Sequence, residues 1–219
     1  MISTKKNFFL ANKEISVSLL VAFACLFFSF VFPAHGFVQI ITKNLFFLVI
    51  IPALYIKIIL KKEVGDFGLN LKNGKEGIVW GASVLFFSFF ISFLLIKFTT
   101  LKNSYLLPDY ATGNFLFFLL YELLFVNFFL FIQDFFYRGF ILFILKEKLF
   151  FWAVFIQSFV LVLSLILSGT ASFNSLITIL MSLGGGLIAY KSRSFVYAYL
   201  YAIIFSIIFD SYIIYNLNQ

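Results

Sequence analysis

The chain has 219 residues, of which 63% are hydrophobic and only 11% are charged, and its mean hydropathy is +1.08. Soluble domains are about half apolar and about a quarter charged, so this composition excludes them and predicts an integral membrane protein. The net charge of +7 does not indicate nucleic-acid binding, because the basic residues lie at the ends of apolar runs, where membrane proteins place them.

Apolar runs long enough, or nearly long enough, to cross a bilayer recur along the whole chain. The content of 36 Phe and only 3 Pro suits long helices better than the short alternating strands of a barrel. The one sizeable polar connection, at 61–77, is too short to be a domain. We therefore predict an all-α, polytopic membrane bundle of about seven helices in one domain, 1–219. In chain order the runs are 15–33, 45–60, 78–98, 114–145, 150–167, 176–190 and 195–215.

Most lysines and arginines lie in the connections on one side of these runs. The positive-inside rule then predicts a cell-membrane protein with its N-terminus in the cytoplasm and its C-terminus outside. Basic residues before the first run also resemble the start of a signal peptide, but the run is long for one, and we expect an uncleaved helix.

Cysteine and histidine are each present once, as Cys25 and His35. One cysteine cannot form an intrachain disulfide, and one histidine cannot build a multi-histidine metal site. We therefore expect no metal and no cofactor. Nucleic acid is likewise not expected as a partner, whereas membrane lipids are.

The fourth run contains QDFFYRGF at 133–140, with charges that cost several kcal/mol in hydrocarbon unless they are paired. Asp134 and Arg138 have the i, i+4 spacing at which opposite charges meet on a helix. The seventh run holds Ser206 and Asp210 at the same spacing, and we expect Asp210 to join Asp134 in neutralising Arg138. Residue chemistry alone leaves two interpretations open: a structural ion pair, or a binding or active site.

At 100° per residue, the polar side chains of the fourth run should form two stripes. Asn127, Asp134 and Arg138 fall in one stripe, and Glu122 and Gln133 fall in the other. In the sixth run, glycines 184–186 lack the lysine and the preceding strand of a phosphate-binding loop, so we interpret them as a place of close helix approach.

Three stretches resemble the CPBP intramembrane proteases, the group that includes type II CAAX prenyl endopeptidases and abortive-infection-like proteins. QDFFYRGF resembles their EExxxR region, where members commonly read EEFFFRGF. KKEVGDFGLNL, at 61–71, resembles the family's GL segment. MSLGGGLIAYKSRSFVYAYLYAIIFSIIFD, at 181–210, resembles the final unit that leads to HxxxN or HxxxD. In this order the stretches cover about residues 45–215.

In that family a glutamate activates water, and histidines on two later helices position it or stabilise the oxyanion. The resemblance puts Gln133 and Asp134 at the glutamate positions, keeps Arg138, and puts Ser206 and Asp210 at the last motif. The other histidine position falls near 163–165, where only a serine is polar. A glutamine cannot take a proton from water, so the resemblance implies a scaffold with impaired proteolytic activity.

Three functions remain open from the sequence. The first is an impaired CPBP-like protein that binds a membrane-embedded peptide or a lipidated protein in the former catalytic cavity. The second is a divergent active intramembrane endopeptidase in which Asp134 is the base, aided by Glu122 or Asp210. The third is a small transporter or an assembly subunit, which predicts a polar path across the whole bilayer.

Overall fold

The computed structural model describes the backbone of residues 2–99, 107–170 and 175–217, and the side chains of 13–99, 107–108, 110–170 and 175–215. Within these ranges all regular secondary structure is helical, as the composition predicts. A 3₁₀ helix, Val64–Phe67, and a four-residue helix, Asp109–Thr112, connect the long helices. The long helices are α1 Ile2–Val31, α2 Phe37–Ile59, α3 Gly74–Phe98, α4 Phe115–Leu149, α5 Trp152–Leu167, α6 Ser175–Ser192 and α7 Phe195–Leu217.

Six of the described helices are long and apolar enough to cross a membrane. The seventh, α5, is also apolar but has only 16 residues. Many large apolar side chains point outward, among them Phe23, Phe86 and Leu20, each at least two-thirds exposed. An exterior of this kind is stable against lipid tails and would be a liability in water. The chain is therefore a helical membrane bundle.

The ends of several helices differ from the predicted runs, because polar residues continue the helix beyond the apolar stretch. α1 and α3 begin at Ile2 and Gly74 instead of 15 and 78. α2 begins at Phe37 instead of 45, and its eight added residues include Thr42, whose hydroxyl donates to the Val38 carbonyl. α4 begins one residue after Asn114, whose side chain accepts from the first helical amides. It ends at Leu149 because two lysines extend its last turn.

α4 is not a regular α-helix, since the segments Tyr121–Val126 and Asp134–Ile141 are π-helical. A π-helix bonds residue i to i+5, so it has more residues per turn than the 3.6 assumed in the predicted stripes. The observed grouping differs accordingly. Glu122 and Asn127 both face α7, whereas Gln133 and Arg138 lie on the wall of one cavity.

The glycines at 184–186 let α6 approach three different helices. A Cβ added to Gly184 would lie 2.6 Å from Val84 of α3. A Cβ added to Gly185 would lie 2.3 Å from Arg138 of α4, and one added to Gly186 would lie 2.4 Å from Gln157 of α5. The interpretation as a close helix approach is confirmed. α6 is consequently packed on three sides, and its middle is within reach of the buried arginine.

One end of the bundle collects most of the basic residues, among them Lys62, Lys146, Lys191 and Arg193, and we call it the basic end. The ion pair of Lys62 with Glu14, at 2.6 Å, puts the segment that follows α2 beside the first half of α1. The Asn73 amide donates to the Ser192 carbonyl at 3.2 Å, which joins the start of α3 to the end of α6. The polar connection between α2 and α3 thus lies against the α6–α7 turn.

Candidate functional site

Arg138 and Asp134 form an ion pair inside α4, with exposed fractions of 4% and 2%. One guanidinium nitrogen, Nη1, donates to the Asp134 carboxylate, as the i, i+4 spacing predicts. The other, Nη2, donates to the Met181 carbonyl of α6 at 2.7 Å. Gly185 leaves the space that the guanidinium fills. The pair therefore neutralises its own charge and ties α4 to α6.

A cavity of about 630 Å³ lies beside this pair, and we call it the α4 cavity. It extends along α4 from Tyr121 to Arg138, a length below the roughly 25 Å of a regular α-helix because much of this stretch is π-helical. Its walls are mostly apolar and aromatic, and Gln133, Arg138 and Thr178 are polar groups on them. A long space of this composition suits an extended apolar chain that offers a few hydrogen-bonding groups.

A second cavity of about 280 Å³, here the polar cavity, adjoins the first at Gln133, which lines both. Its lining includes Lys43, Asn44 and several hydroxyl groups. One of these is Ser164, near the position where the resemblance expects a histidine; it accepts a hydrogen bond from the Tyr137 hydroxyl at 2.8 Å. Gln133 therefore lies where an apolar space meets a polar one.

A second polar cluster joins α4 to α7. The Ser206 hydroxyl donates to Glu122 Oε2 at 3.0 Å, and the carboxyl of Asp210 lies beside the carboxyl of Glu122. Glu122 is 2% exposed and Asp210 is 3% exposed. The cluster therefore brings two buried carboxyls and a hydroxyl together between α4 and α7.

The residues that the sequence assigned to one site lie in two groups, separated along α4 by the stretch from Glu122 to Gln133. The expected contact of Asp210 with Arg138 is not formed, because Asp210 meets Glu122 instead. Sequence reasoning offered Glu122 only as a possible partner in an active enzyme. The signal that could have found the pair is the antiparallel order of α4 and α7, which brings the outer carboxylates of both helices to one level. The first group is Gln133, Asp134 and Arg138; the second is Ser206 and Asp210.

In the part of the chain that the structure describes, no three metal-ligating side chains come together. Comparisons of the chain with protein-family models, with curated proteins and with solved structures found no match. The fold and its buried polar groups define the class, a multi-pass helical membrane protein. What it does has to be inferred from its cavities and charges.

Proposed function

We propose that the chain is a CPBP-like intramembrane protein that binds a membrane-embedded peptide or a lipidated protein in the α4 cavity without cleaving it efficiently. The observation that supports the proposal most directly is that no unpaired carboxylate lies among the described residues that line this cavity. Gln133, on its wall, has no proton-accepting carboxylate, and Arg138 occupies the carboxylate of Asp134.

A general base must reach the water that it activates, within about 3 Å or through one further water. Asp134 is the carboxylate nearest to Gln133 in the chain, but it is buried at 2% exposure, and its partner Arg138, not Asp134 itself, lines the cavity. Ser164, near the expected histidine, is engaged with Tyr137. A missing base and a missing oxyanion donor each lower a rate by about 10²–10⁴-fold. Binding without turnover is the activity that remains.

The ligand class follows from the cavity walls. Phe125, Phe129 and Leu161 supply apolar surface, and the Gln133 amide offers a donor and an acceptor to a peptide group. An extended peptide or a prenyl-like chain fits a long apolar space better than a compact polar solute does. The proposal extends to topology: all seven helices cross the cell membrane, with the basic end and the N-terminus in the cytoplasm.

Photocrosslinking tests binding and cleavage in one experiment. A benzoyl-phenylalanine at Phe129, on the cavity wall, should crosslink a membrane-tethered or prenylated peptide, and the recovered peptide should be intact. The same group at Phe86, which is 70% exposed to lipid, is the matched control and should crosslink only lipid. Equal peptide labelling at both positions would contradict the proposal.

A divergent active endopeptidase is the second candidate, and one observation favours it. The buried carboxyls of Glu122 and Asp210 lie side by side, an arrangement that resembles the paired carboxyls of aspartic proteases. Purified protein that cleaves the tethered peptide, and loses the activity in Glu122→Gln or Asp134→Asn, would replace the first proposal by this one.

A further inference from the structure

A second large pocket opens at the basic end of the bundle, away from the α4 cavity, with which it shares no lining residue. It encloses about 640 Å³ between the start of α3, the end of α4 and the α6–α7 turn. Its charged lining consists of Lys146, Lys191, Arg193, Glu76 and Glu147. We call it the basic pocket, since its side chains carry one positive charge in excess.

The three cations of the basic pocket are not neutralised by direct ion pairs. Among the described residues, none of them has a carboxylate within 4 Å of its nitrogens. The Lys146 ammonium instead lies 3.2 Å from the centroid of the Phe143 ring, and the Lys191 ammonium lies 5.1 Å from that of Trp80. Aromatic faces stabilise a cation and leave its N–H groups available to a ligand.

Arg193 and Lys146 are close enough for their charges to repel. Repulsion between two cations at one site is relieved when an anion lies between them. A phosphate group is suited to this position, because its oxygens accept charge-assisted hydrogen bonds from guanidinium and ammonium groups together. The pocket is thus arranged to gain from a bound anion.

The backbone that presents these side chains is firmly held. Asn70 donates to the Arg193 carbonyl at 3.3 Å, Phe195 donates its amide to the Gly68 carbonyl at 3.0 Å, and the Ser194 hydroxyl donates to that same carbonyl at 3.1 Å. Arg193 itself has φ +54°, a left-handed conformation that a non-glycine residue seldom adopts. The polar connection therefore fixes the turn that carries Arg193, and little ordering remains for a ligand to impose.

We propose that the basic pocket binds a phosphate group of one negative charge, as in the phosphodiester of an anionic membrane lipid. The single positive excess of the lining matches a monoanion, and Glu76 and Glu147 would accept hydrogen bonds from headgroup hydroxyls. Basic pockets between helices at the cytoplasmic membrane face are known places for such headgroups. This inference does not depend on the proposed function of the α4 cavity.

Native mass spectrometry of the purified full-length protein tests the proposal. Offered phosphatidylglycerol and phosphatidylcholine in equal amounts, the protein should retain phosphatidylglycerol with a preference of about tenfold or more. Lys191→Gln with Arg193→Gln should bring the two lipids near parity. The matched control is Lys57→Gln with Lys75→Gln, which removes two exposed charges that do not line the pocket, and it should keep the preference.

Glycerophosphoglycerol, the soluble phosphodiester with the same headgroup as phosphatidylglycerol, is added in a separate arm and distinguishes the two sources of a monoanionic phosphate. Displacement of phosphatidylglycerol by this compound at millimolar concentration indicates that the pocket takes a soluble phosphodiester, and retention of the lipid indicates that it takes the lipid. A second pair of substitutions, Glu76→Gln with Glu147→Gln, should strengthen anion retention. Equal retention of both lipids by the unaltered protein, or a preference that survives in the folded Lys191 and Arg193 variant, would overturn the proposal.

Discussion

A guanidinium group buried in hydrocarbon needs hydrogen-bond acceptors for its N–H groups and a negative charge to balance its positive charge. Arg138 receives the charge from Asp134 and a further acceptor from the Met181 carbonyl. Both groups were brought out of water at a cost of several kcal/mol each, so the pair adds little net stability, although losing one partner is expensive. The value of the pair lies in fixing how α4 sits against α6.

Asp134→Asn should lower the free energy of unfolding by about 3–5 kcal/mol, because it leaves a buried cation without a counter-charge. Replacing both partners, as Asp134→Leu with Arg138→Met, should recover most of that loss. The measurement is reversible unfolding in mixed detergent micelles. A single variant as stable as the unaltered protein would show that the arginine is neutralised elsewhere.

The glycine at position 185 is needed to leave space for the Arg138 side chain, whereas the helix itself would accept an alanine there. Gly185→Ala would put a Cβ 2.3 Å from Arg138 Cζ and should destabilise the protein by about 1–3 kcal/mol. Gly81 in α3 is the matched control, since nothing lies within 4 Å of its added Cβ. Gly81→Ala should be neutral or slightly stabilising. Thermal unfolding of the two variants side by side checks the difference.

At the scale of the element, α4 combines long π-helical segments with several polar attachments, and two of these involve buried charged residues. Near its start it is joined to α7 through Glu122, and near its end to α6 through Arg138. These two attachments use different chemistry. One is a carboxyl that accepts from a serine hydroxyl beside a second carboxyl, and the other is an ion pair that donates to a backbone carbonyl.

Glu122→Gln should leave the α4–α7 attachment intact, because the amide can accept from the Ser206 hydroxyl and donate to the Asp210 carboxyl beside it. Glu122→Ala leaves Asp210 and Ser206 without this partner and should cost about 1–3 kcal/mol. Unfolding in detergent distinguishes the two variants. If both were equally destabilised, size and not hydrogen bonding would explain the role of Glu122.

The helices and the local ion pair could be predicted from sequence because both depend on short spacings along one chain. The i, i+4 separation of Asp134 and Arg138 needs no knowledge of the rest of the fold. The partner of Asp210 could not be predicted in the same way. It depends on the axial position of α4 relative to α7, which no short spacing in the sequence determines. The π-helical segments of α4 also change the direction of every side chain that follows them.

At the scale of the whole molecule, the basic residues collect at one end and the two cavities meet at Gln133. The proposed topology places the basic end in the cytoplasm. In a Cys25→Ser background, a membrane-impermeant maleimide added to intact cells should label His35→Cys, at the opposite end, and leave Lys75→Cys unlabelled until the cells are opened. The reverse pattern would invert the orientation.

α5 has 16 residues and an axial length of about 24 Å, which is less than the roughly 30 Å of a bilayer's hydrocarbon core. Lipids that surround so short a helix must compress, which draws their headgroups inward on that side. Leu161 and Leu165 of α5 form part of the wall between the bilayer and Gln133. Under the proposed function, the polar head of a lipidated ligand has the least hydrocarbon to cross beside α5, so we expect the ligand to enter the bundle on this side.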